Sequence, residues 1–305
     1  MPSSPIIVLS FGRSGSTWVS DIISKSLGGL LLFEPLHPET CSFAAEICYG
    51  DAADPAMSER LAGLLAGILA KQDRNRWLLR NHLFSPLEEV SQTFVDTVWD
   101  ECEILGFKEI RATFLIDWLL AHLHARIVYL VRHPYAVIAS LHRRRNFWNE
   151  FGFARHWRLF QERVLLNPRH QALLQPYQPI IAAAQTQTER ETVMWAATHK
   201  IASADLARHG LPIFHYEDFY EKPFPTTRAL LSYLGHDASI HPAHIFVPSM
   251  TTIRTVHGLS ASESDYSRKG LAIFWQDILS PTNLRVIGEI VQAFDIHDYD
   301  GRLWA

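Results

Sequence analysis

The sequence predicts an α/β fold in which a mostly parallel β-sheet is flanked by helices. Short, continuous apolar runs recur along the 305-residue chain, as expected for strands that are buried on both faces. Segments with helical periodicity lie between these runs, and this alternation is typical of right-handed βαβ units. Ligands of such sheets bind at the carboxyl ends of the strands, so we expect functional residues directly after the strands.

The first half of the chain contributes three predicted strands, at 5–10 (PIIVLS), 30–33 (LLLF) and 104–107 (ILGF). A Gly/Ser turn follows the first strand, and a helix is expected from about Thr17 to Leu27. Gly28 and Gly29 then end that helix, because glycine adopts the left-handed conformation common after a helix. Further helices are expected over roughly 56–71, 86–97 and 112–123.

The second half opens with the strongest strand signal, RIVYLV at 126–131, which is β-branched and aromatic and is bounded by a turn. A helix begins at Pro134, since proline suits the first helical position. A long helix over about 188–209, a buried strand at 211–216 and a final helix over about 281–294 complete the prediction.

Composition narrows the class of protein. With 48% hydrophobic and 20% charged residues, the chain has enough apolar side chains to form a large core, which excludes disorder. We expect a single domain spanning 1–305, since α/β folds often reach this length. The net charge of −4 argues against a general nucleic-acid binder.

Cysteine usage and hydropathy bear on the compartment. None of the three cysteines, Cys41, Cys48 and Cys102, lies in a CxxC motif, so we expect a reducing, cytoplasmic location. The apolar run at 61–70 is about half as long as a membrane span, and the opening residues lack the features of a signal peptide. We therefore expect no membrane association.

The loop after the first strand, SFGRSGSTW at 10–18, has the features of an anion site. Glycines let backbone N–H groups point inward, the next helix presents its positive end, and Arg13 adds a forked cation. The plain alternative is a tight turn with a Ser/Thr cap. No Lys follows Gly15, so the Walker pattern of ATPases and kinases is absent.

This loop resembles the 5′-phosphosulfate loop of sulfotransferases that use 3′-phosphoadenosine 5′-phosphosulfate (PAPS). The matching positions are Arg13, Ser14, Gly15, Ser16, Thr17 and Trp18. Arg rather than Lys at the first position looks more like the carbohydrate and bacterial branches than the cytosolic animal enzymes. The resemblance implies a sulfotransferase fold similar to that of the P-loop NTPases, over nearly the whole chain.

Three later segments extend the resemblance. Arg132, at a strand end, and Ser140, in the next helix, are similar to the pair that holds the 3′-phosphate, where a guanidinium and a hydroxyl suit a dianion. Tyr216, in FHYEDFYEKP, matches a Tyr-Glu-Asp segment near the nucleotide. SRKGLAIFW resembles the loop that closes over the 3′-phosphate, and its matching positions are Arg268, Lys269 and Gly270. A hydrogen bond to the adenine from Thr251 or Thr252 is inferred from relative position.

Sulfonyl transfer also needs a base on the acceptor and cations at the leaving group. Arg13 and Lys108, the latter in GFKEIR, suit the cationic role. Ile110 stands where the cytosolic enzymes carry their catalytic His. The other branches use a Glu shortly after the second strand, which makes Glu34 the expected base. Three alternatives remain open: His37, His82 and Glu109.

The resemblance thus implies an enzyme that moves a sulfonyl group from PAPS to a hydroxyl or amine and releases adenosine 3′,5′-bisphosphate (PAP). The acceptor is a small molecule or a carbohydrate, with no metal, nucleic acid or membrane involved; a homo-oligomer stays open. The acceptor pocket is expected within 36–85 and 145–185. Two alternatives are a small-molecule kinase that uses ATP and Mg²⁺, and a nucleotide-binding module without catalysis.

Overall fold

The computed structural model describes residues 4–82, 89–143, 152–237, 240–246 and 274–299, and at its centre is a five-stranded sheet. Its strands are β1 (Ile6–Ser10), β2 (Leu30–Phe33), β3 (Ile104–Glu109), β4 (Arg126–Val131) and β5 (Ile213–His215). They lie in the order β2-β3-β1-β4-β5, and every neighbouring pair is parallel. The predicted α/β fold is therefore confirmed.

Most of the remaining described chain is helical. The α-helices are α1 (Ser16–Leu27), α2 (Ala44–Ile47), α3 (Pro55–Leu69), α4 (Gln92–Glu101), α5 (Ile116–Leu123), α6 (Pro134–Arg143), α7 (Phe153–Phe160), α8 (Pro168–Leu174), α9 (Gln178–Ala183), α10 (Gln187–Arg208), α11 (Asp218–Glu221), α12 (Pro223–Tyr233), α13 (Pro242–Phe246) and α14 (Pro281–Ala293). Short 3₁₀ turns span Arg76–Leu79, Thr113–Leu115, Gln175–Tyr177 and Phe274–Asp277, and a π-helical turn, Gln161–Leu165, follows α7.

Two of the predicted helices start later in the structure, and a side-chain cap accounts for one of these starts. Helix α4 begins at Gln92, where the Ser91 side chain accepts a hydrogen bond from the Phe94 N–H at 3.2 Å. Residues 86–88 of the helix predicted over 86–97 lie outside the described residues. The helix predicted over 112–123 is divided: a 3₁₀ turn comes first and α5 begins only at Ile116. Helix α10 starts at a complete capping box formed by Thr186 and Glu189.

Both faces of the sheet are covered. Alternate residues of β1 point into two different apolar clusters: Ile7 and Leu9 into one, Ile6 and Val8 into the other. All five residues of β1 are buried, as the continuous apolar run predicted. Because side chains pack on both faces, the edge formed by the carboxyl ends of the strands is where the sheet can present polar groups.

The register aligns the carboxyl ends of the strands along that edge. Phe33 pairs with Lys108, Ser10 with Leu130, and Val131 with His215. Within the described ranges, no helix combines the length and the apolarity needed to cross a membrane.

Candidate functional site

The loop between β1 and α1 is shaped around left-handed backbone conformations. Arg13 has a φ of 69° and Gly15 a φ of 83°. Gly15 is the N-cap of α1, and no side chain caps that end of the helix. The Trp18 N–H donates to the carbonyl oxygen of Gly15 at 3.0 Å, and the N–H groups that precede it at the start of the helix are placed to donate to an anion. The sequence-predicted anion loop therefore has the geometry that such a site requires.

Hydroxyl groups surround this turn. Ser10 and Ser16 are joined by a 2.8 Å hydrogen bond between their Oγ atoms. The Oγ of Ser14 is buried and has no hydrogen-bond partner within the part of the chain that the structure describes. A buried hydroxyl with no partner costs free energy, and a bound anion would remove that cost. Thr17 is half-buried in the first turn of α1.

The position of Gly15 is fixed by a contact with β5. The ring of Tyr216, directly after β5, packs so closely that a Cβ on Gly15 would lie 2.1 Å from its Cε2. Only glycine satisfies both this approach and the positive φ. The first loop and the Tyr216 segment are therefore parts of one structure.

Arg132 and Ser140 come from β4 and α6 and meet the same loop. The Nη1 of Arg132, directly after β4, donates to the backbone carbonyl oxygen of Arg13 at 3.2 Å. The Nε of Arg13 donates to the Oγ of Ser140 at 2.9 Å. Two segments predicted to bind different phosphate groups of one ligand thus lie against each other.

Aromatic rings complete this half of the site. The guanidinium carbon of Arg132 lies 4.4 Å from the centre of the Tyr216 ring, within cation–π distance. Trp18 meets the same ring edge-on, with centroids 5.6 Å apart. Tyr216 and Tyr220 are hydrogen-bonded through their hydroxyls. The predicted contacts Thr251, Arg268, Lys269 and Gly270 lie outside the described residues.

A buried carboxylate lies at the other half of the edge, after β2. Glu34 has a φ of 43°, and its side chain is ion-paired to Lys108 from β3 through Oε1. The Nη1 of Arg111 donates to Oε2 at 2.9 Å. Burial alone would raise the pKa of Glu34, but the two cations outweigh it and lower that pKa to about 2. Glu34 is therefore ionised at neutral pH.

The alternatives to Glu34 are engaged differently. Both carboxylate oxygens of Glu109 accept backbone N–H groups, from Leu36 at 2.7 Å and from Ile110 and Arg111 at 2.9 and 3.0 Å. Burial raises the pKa of Glu109. Its contacts make it an anchor for the loops that follow β2 and β3.

The two histidine alternatives are held by neighbouring groups. His37 stacks on Trp77 with centroids 3.8 Å apart. The Nε2 of His82 lies 2.9 Å from the carbonyl oxygen of Leu31, and burial lowers the pKa of this imidazole. A nitrogen that donates to a carbonyl oxygen carries its proton, so Nε2 of His82 is not the atom that accepts one.

Arg111 belongs to the candidate site by its contacts, although the sequence did not predict it. It is the last residue of GFKEIR, three residues after Lys108, and is buried between Glu34 and Glu109. A buried cation needs carboxylate partners, yet the sequence does not reveal that Glu34 is one of them. The available signal was a second basic residue directly after a strand end.

The edge thus has two halves with different chemistry. After β1, β4 and β5, cations, hydroxyls and a helix N-terminus converge, which suits a multiply charged anion. After β2 and β3, an ionised carboxylate lies between two cations. Among the described residues, no group of three or more His, Cys, Asp or Glu side chains is placed to hold a metal ion.

Comparison with known proteins gives one family match. The model of the sulfotransferase family matches residues 5–239 of the chain. No curated protein matches the chain.

Several solved structures are similar to the chain at low identity, among them the three that follow. The sulfotransferase domain from the curacin biosynthetic pathway has 16% identity and a TM-score of 0.45, covering 94% of this chain and 97% of that one. The sulfotransferase domain of the Synechococcus PCC 7002 olefin synthase has 19% identity and a TM-score of 0.46, and the match covers 95% of this chain and 94% of that one. A retinol dehydratase in complex with retinol and PAP has 17% identity and a TM-score of 0.43, and the match covers 96% of this chain and 82% of that one.

Proposed function

Because the chain belongs to the sulfotransferase family, we propose that it transfers a sulfonyl group from PAPS to a hydroxyl or amine. The acceptor is a small molecule or a carbohydrate. The hydrogen bond from Arg13 to Ser140 is the observation that carries the choice of donor, because it joins the predicted phosphosulfate loop to the predicted 3′-phosphate segment. A ligand with anionic groups on both sides of a nucleoside fits such a paired site.

The residues after β1, β4 and β5 fit this donor. The N-terminus of α1, which no side chain caps, and the buried hydroxyl of Ser14 would bind the 5′-phosphosulfate together with Arg13. Arg132 and Ser140 would bind the 3′-phosphate, for which a fixed guanidinium and a hydroxyl are good donors. Tyr216 would lie beside the nucleotide.

We assign proton transfer to Glu34. In the reaction, the acceptor oxygen or nitrogen forms a bond to sulfur, the bond from sulfur to the 5′-phosphate oxygen breaks, and PAP leaves. The acceptor proton passes to Glu34, and Lys108 and Arg13 stabilise the negative charge that grows on the leaving oxygen.

The ion pairs of Glu34 set a condition on this role. A carboxylate with a pKa of about 2 takes up a proton poorly. Its proton affinity rises when a neighbouring cation is neutralised by another anion. Lys108 is the cation assigned to the leaving group, so its ammonium group turns from Glu34 toward the bound donor. Arg111 then remains to orient the carboxylate.

The contacts of the other candidates support this choice. Glu109 uses both oxygens on backbone N–H groups, His82 binds a carbonyl oxygen, and His37 stacks on Trp77.

The cytoplasm is the proposed compartment, on cysteine usage; the structure describes all three cysteines and joins none of them in a disulfide.

Incubation of the protein with PAPS and a panel of phenols, sugars and amino compounds tests the proposal. Mass spectrometry of the products should show PAP together with one sulfated acceptor, and neither product in a control without protein. Transfer of phosphate from ATP in the presence of Mg²⁺, with no sulfated product, would instead establish the kinase alternative.

A further inference from the structure

The carboxyl group of Glu217 is buried between the loops that carry Arg132 and Tyr216. Its side chain follows Tyr216 directly, and the residue is 2% exposed. The Oε1 of Glu217 accepts a hydrogen bond from the backbone N–H of His133 at 2.9 Å. Its Oε2 is buried and has no hydrogen-bond partner within the described part of the chain. One oxygen thus ties the end of β5 to the start of α6.

These two loops also meet through the side chains of the donor site. Arg132 lies over the Tyr216 ring and donates to the backbone of Arg13. His133, whose N–H is bound by Glu217, is the next residue after Arg132. Loss of the carboxylate would therefore release the backbone on which the Arg132 guanidinium is held.

Charged and titratable groups face this carboxyl from three elements. Burial raises the pKa of Glu217, while Arg132, after β4, and His215, from β5, oppose that rise. The hydroxyl group of Tyr220, from α11, also interacts electrostatically with the Glu217 carboxyl group. An anion bound to Arg132 would offset the charge of the guanidinium, and the carboxyl would then hold a proton more tightly.

We propose that Glu217 is a positioning residue of the donor site, which fixes the Arg132 loop against the Tyr216 loop and takes up a proton when a phosphate binds Arg132. The inference rests on the proposed function, because it takes the 3′-phosphate of the donor as the ligand of Arg132. The proton comes from the solvent, and no covalent bond changes.

Calorimetric titration with PAP, in buffers of different ionisation enthalpy, measures the protons taken up on binding. The Glu217→Gln substitution keeps an oxygen for the His133 N–H but removes the ionisable group. Across a pH series that starts at the ordinary range of a carboxylic acid and runs upward, we expect the wild type to take up more protons than Glu217→Gln, by a fraction of one proton that varies with pH. Adenosine 5′-monophosphate, which lacks the 3′-phosphate, should show no such difference.

Two further variants separate positioning from general stability. Glu217→Ala removes the hydrogen-bond acceptor as well as the charge, so its affinity for PAP should fall about tenfold, whereas Glu217→Gln should retain most of the affinity. Glu221→Gln, an exposed carboxylate on α11, should match the wild type in affinity and in proton uptake.

Equal proton uptake by the wild type and Glu217→Gln at every pH would overturn the inference while PAP binding remained intact. Failure of the wild type to bind PAP at all would overturn the proposed function together with it. The two failures are therefore distinguishable in one set of titrations.

Discussion

Arg13 and Ser140, which are 127 positions apart in the sequence, are joined by a 2.9 Å hydrogen bond from Nε to Oγ. One residue lies in the turn after β1 and the other in the helix after β4, and these strands are neighbours in the sheet. Their contact places the two segments proposed to bind anions within one hydrogen bond of each other. A nucleotide with phosphate groups on both ribose ends would span them.

Arg132→Ala should weaken binding of PAP about 10- to 100-fold, because hydrogen bonds to charged groups contribute about 1.5–3 kcal/mol each. Adenosine 5′-monophosphate lacks the group assigned to Arg132, so its affinity should change little. Dissociation constants for both ligands, measured by calorimetry, check this difference. Arg285→Ala, at an exposed position of α14, is the control and should leave both constants unchanged. An equal loss for the two ligands would contradict the assignment of Arg132 to the 3′-phosphate.

Glu34→Gln should lower turnover by about 10²- to 10⁴-fold on any acceptor that the screen identifies, because the amide cannot accept the proton. Affinity for PAP should not fall, since the base is not assigned to the nucleotide and the substitution leaves Lys108 available to the donor. Steady-state kinetics and PAP titration measure the two effects, and the titration also reports whether the variant folds. Glu39→Gln, on an exposed part of the same loop, should keep full activity. Full activity of Glu34→Gln would move the base to His37, His82 or Glu109.

Gly15→Ala should destabilise the protein more than Gly28→Ala. Both glycines have a positive φ, but only at Gly15 does an added Cβ meet another group, the ring of Tyr216. The shared backbone strain costs about 1 kcal/mol, and the clash at Gly15 adds to it. Urea denaturation of the two variants compares their free energies of unfolding. Equal losses would show that Tyr216 does not pack against Gly15 in solution.

Asp21→Asn should stabilise the protein more at pH 8 than at pH 5. Burial raises the pKa of Asp21 from 3.8 to about 7, with Lys25 opposing the rise. The folded state therefore holds this proton more tightly than the unfolded state does. The free energy of unfolding therefore falls as pH rises from about 4 to about 7, and it stays lower above that range. The loss is at most about 1.4 kcal/mol per pH unit.

The substitution to Asn removes this cost, so the difference between the two pH values should reach about 2 kcal/mol. Free energies of unfolding in urea at each pH provide the measurement, and the exposed Asp237→Asn is the control. A gain that does not depend on pH would contradict the account.

Local pattern predicted the sheet well. Continuous apolar runs locate β1, β2 and β4 to within about a residue, because a strand buried on both faces needs apolar side chains at every position. The start of α4 was harder to predict from the sequence, since a single hydroxyl group, that of Ser91, caps the helix there. The sequence thus predicts an element well where the same requirement, such as an apolar side chain, repeats at successive positions.

Contacts between distant segments were not readable in the same way. The turn at Gly15 is visible in the sequence, but its contact with Tyr216 depends on how β5 is placed in the sheet. The ion pair of Glu34 with Arg111 spans 77 positions and requires the register of β2 on β3. No local pattern encodes such a pairing, so the electrostatic state of Glu34 emerged only from the structure.

Calorimetric titration with PAP, with ATP and Mg²⁺ as the comparison, shows whether the chain binds the nucleotide of a sulfotransferase or that of a kinase. We expect tight binding of the bisphosphate and weak or no binding of ATP. Binding of ATP alone, and only with Mg²⁺ present, would contradict the assignment of PAPS as the donor.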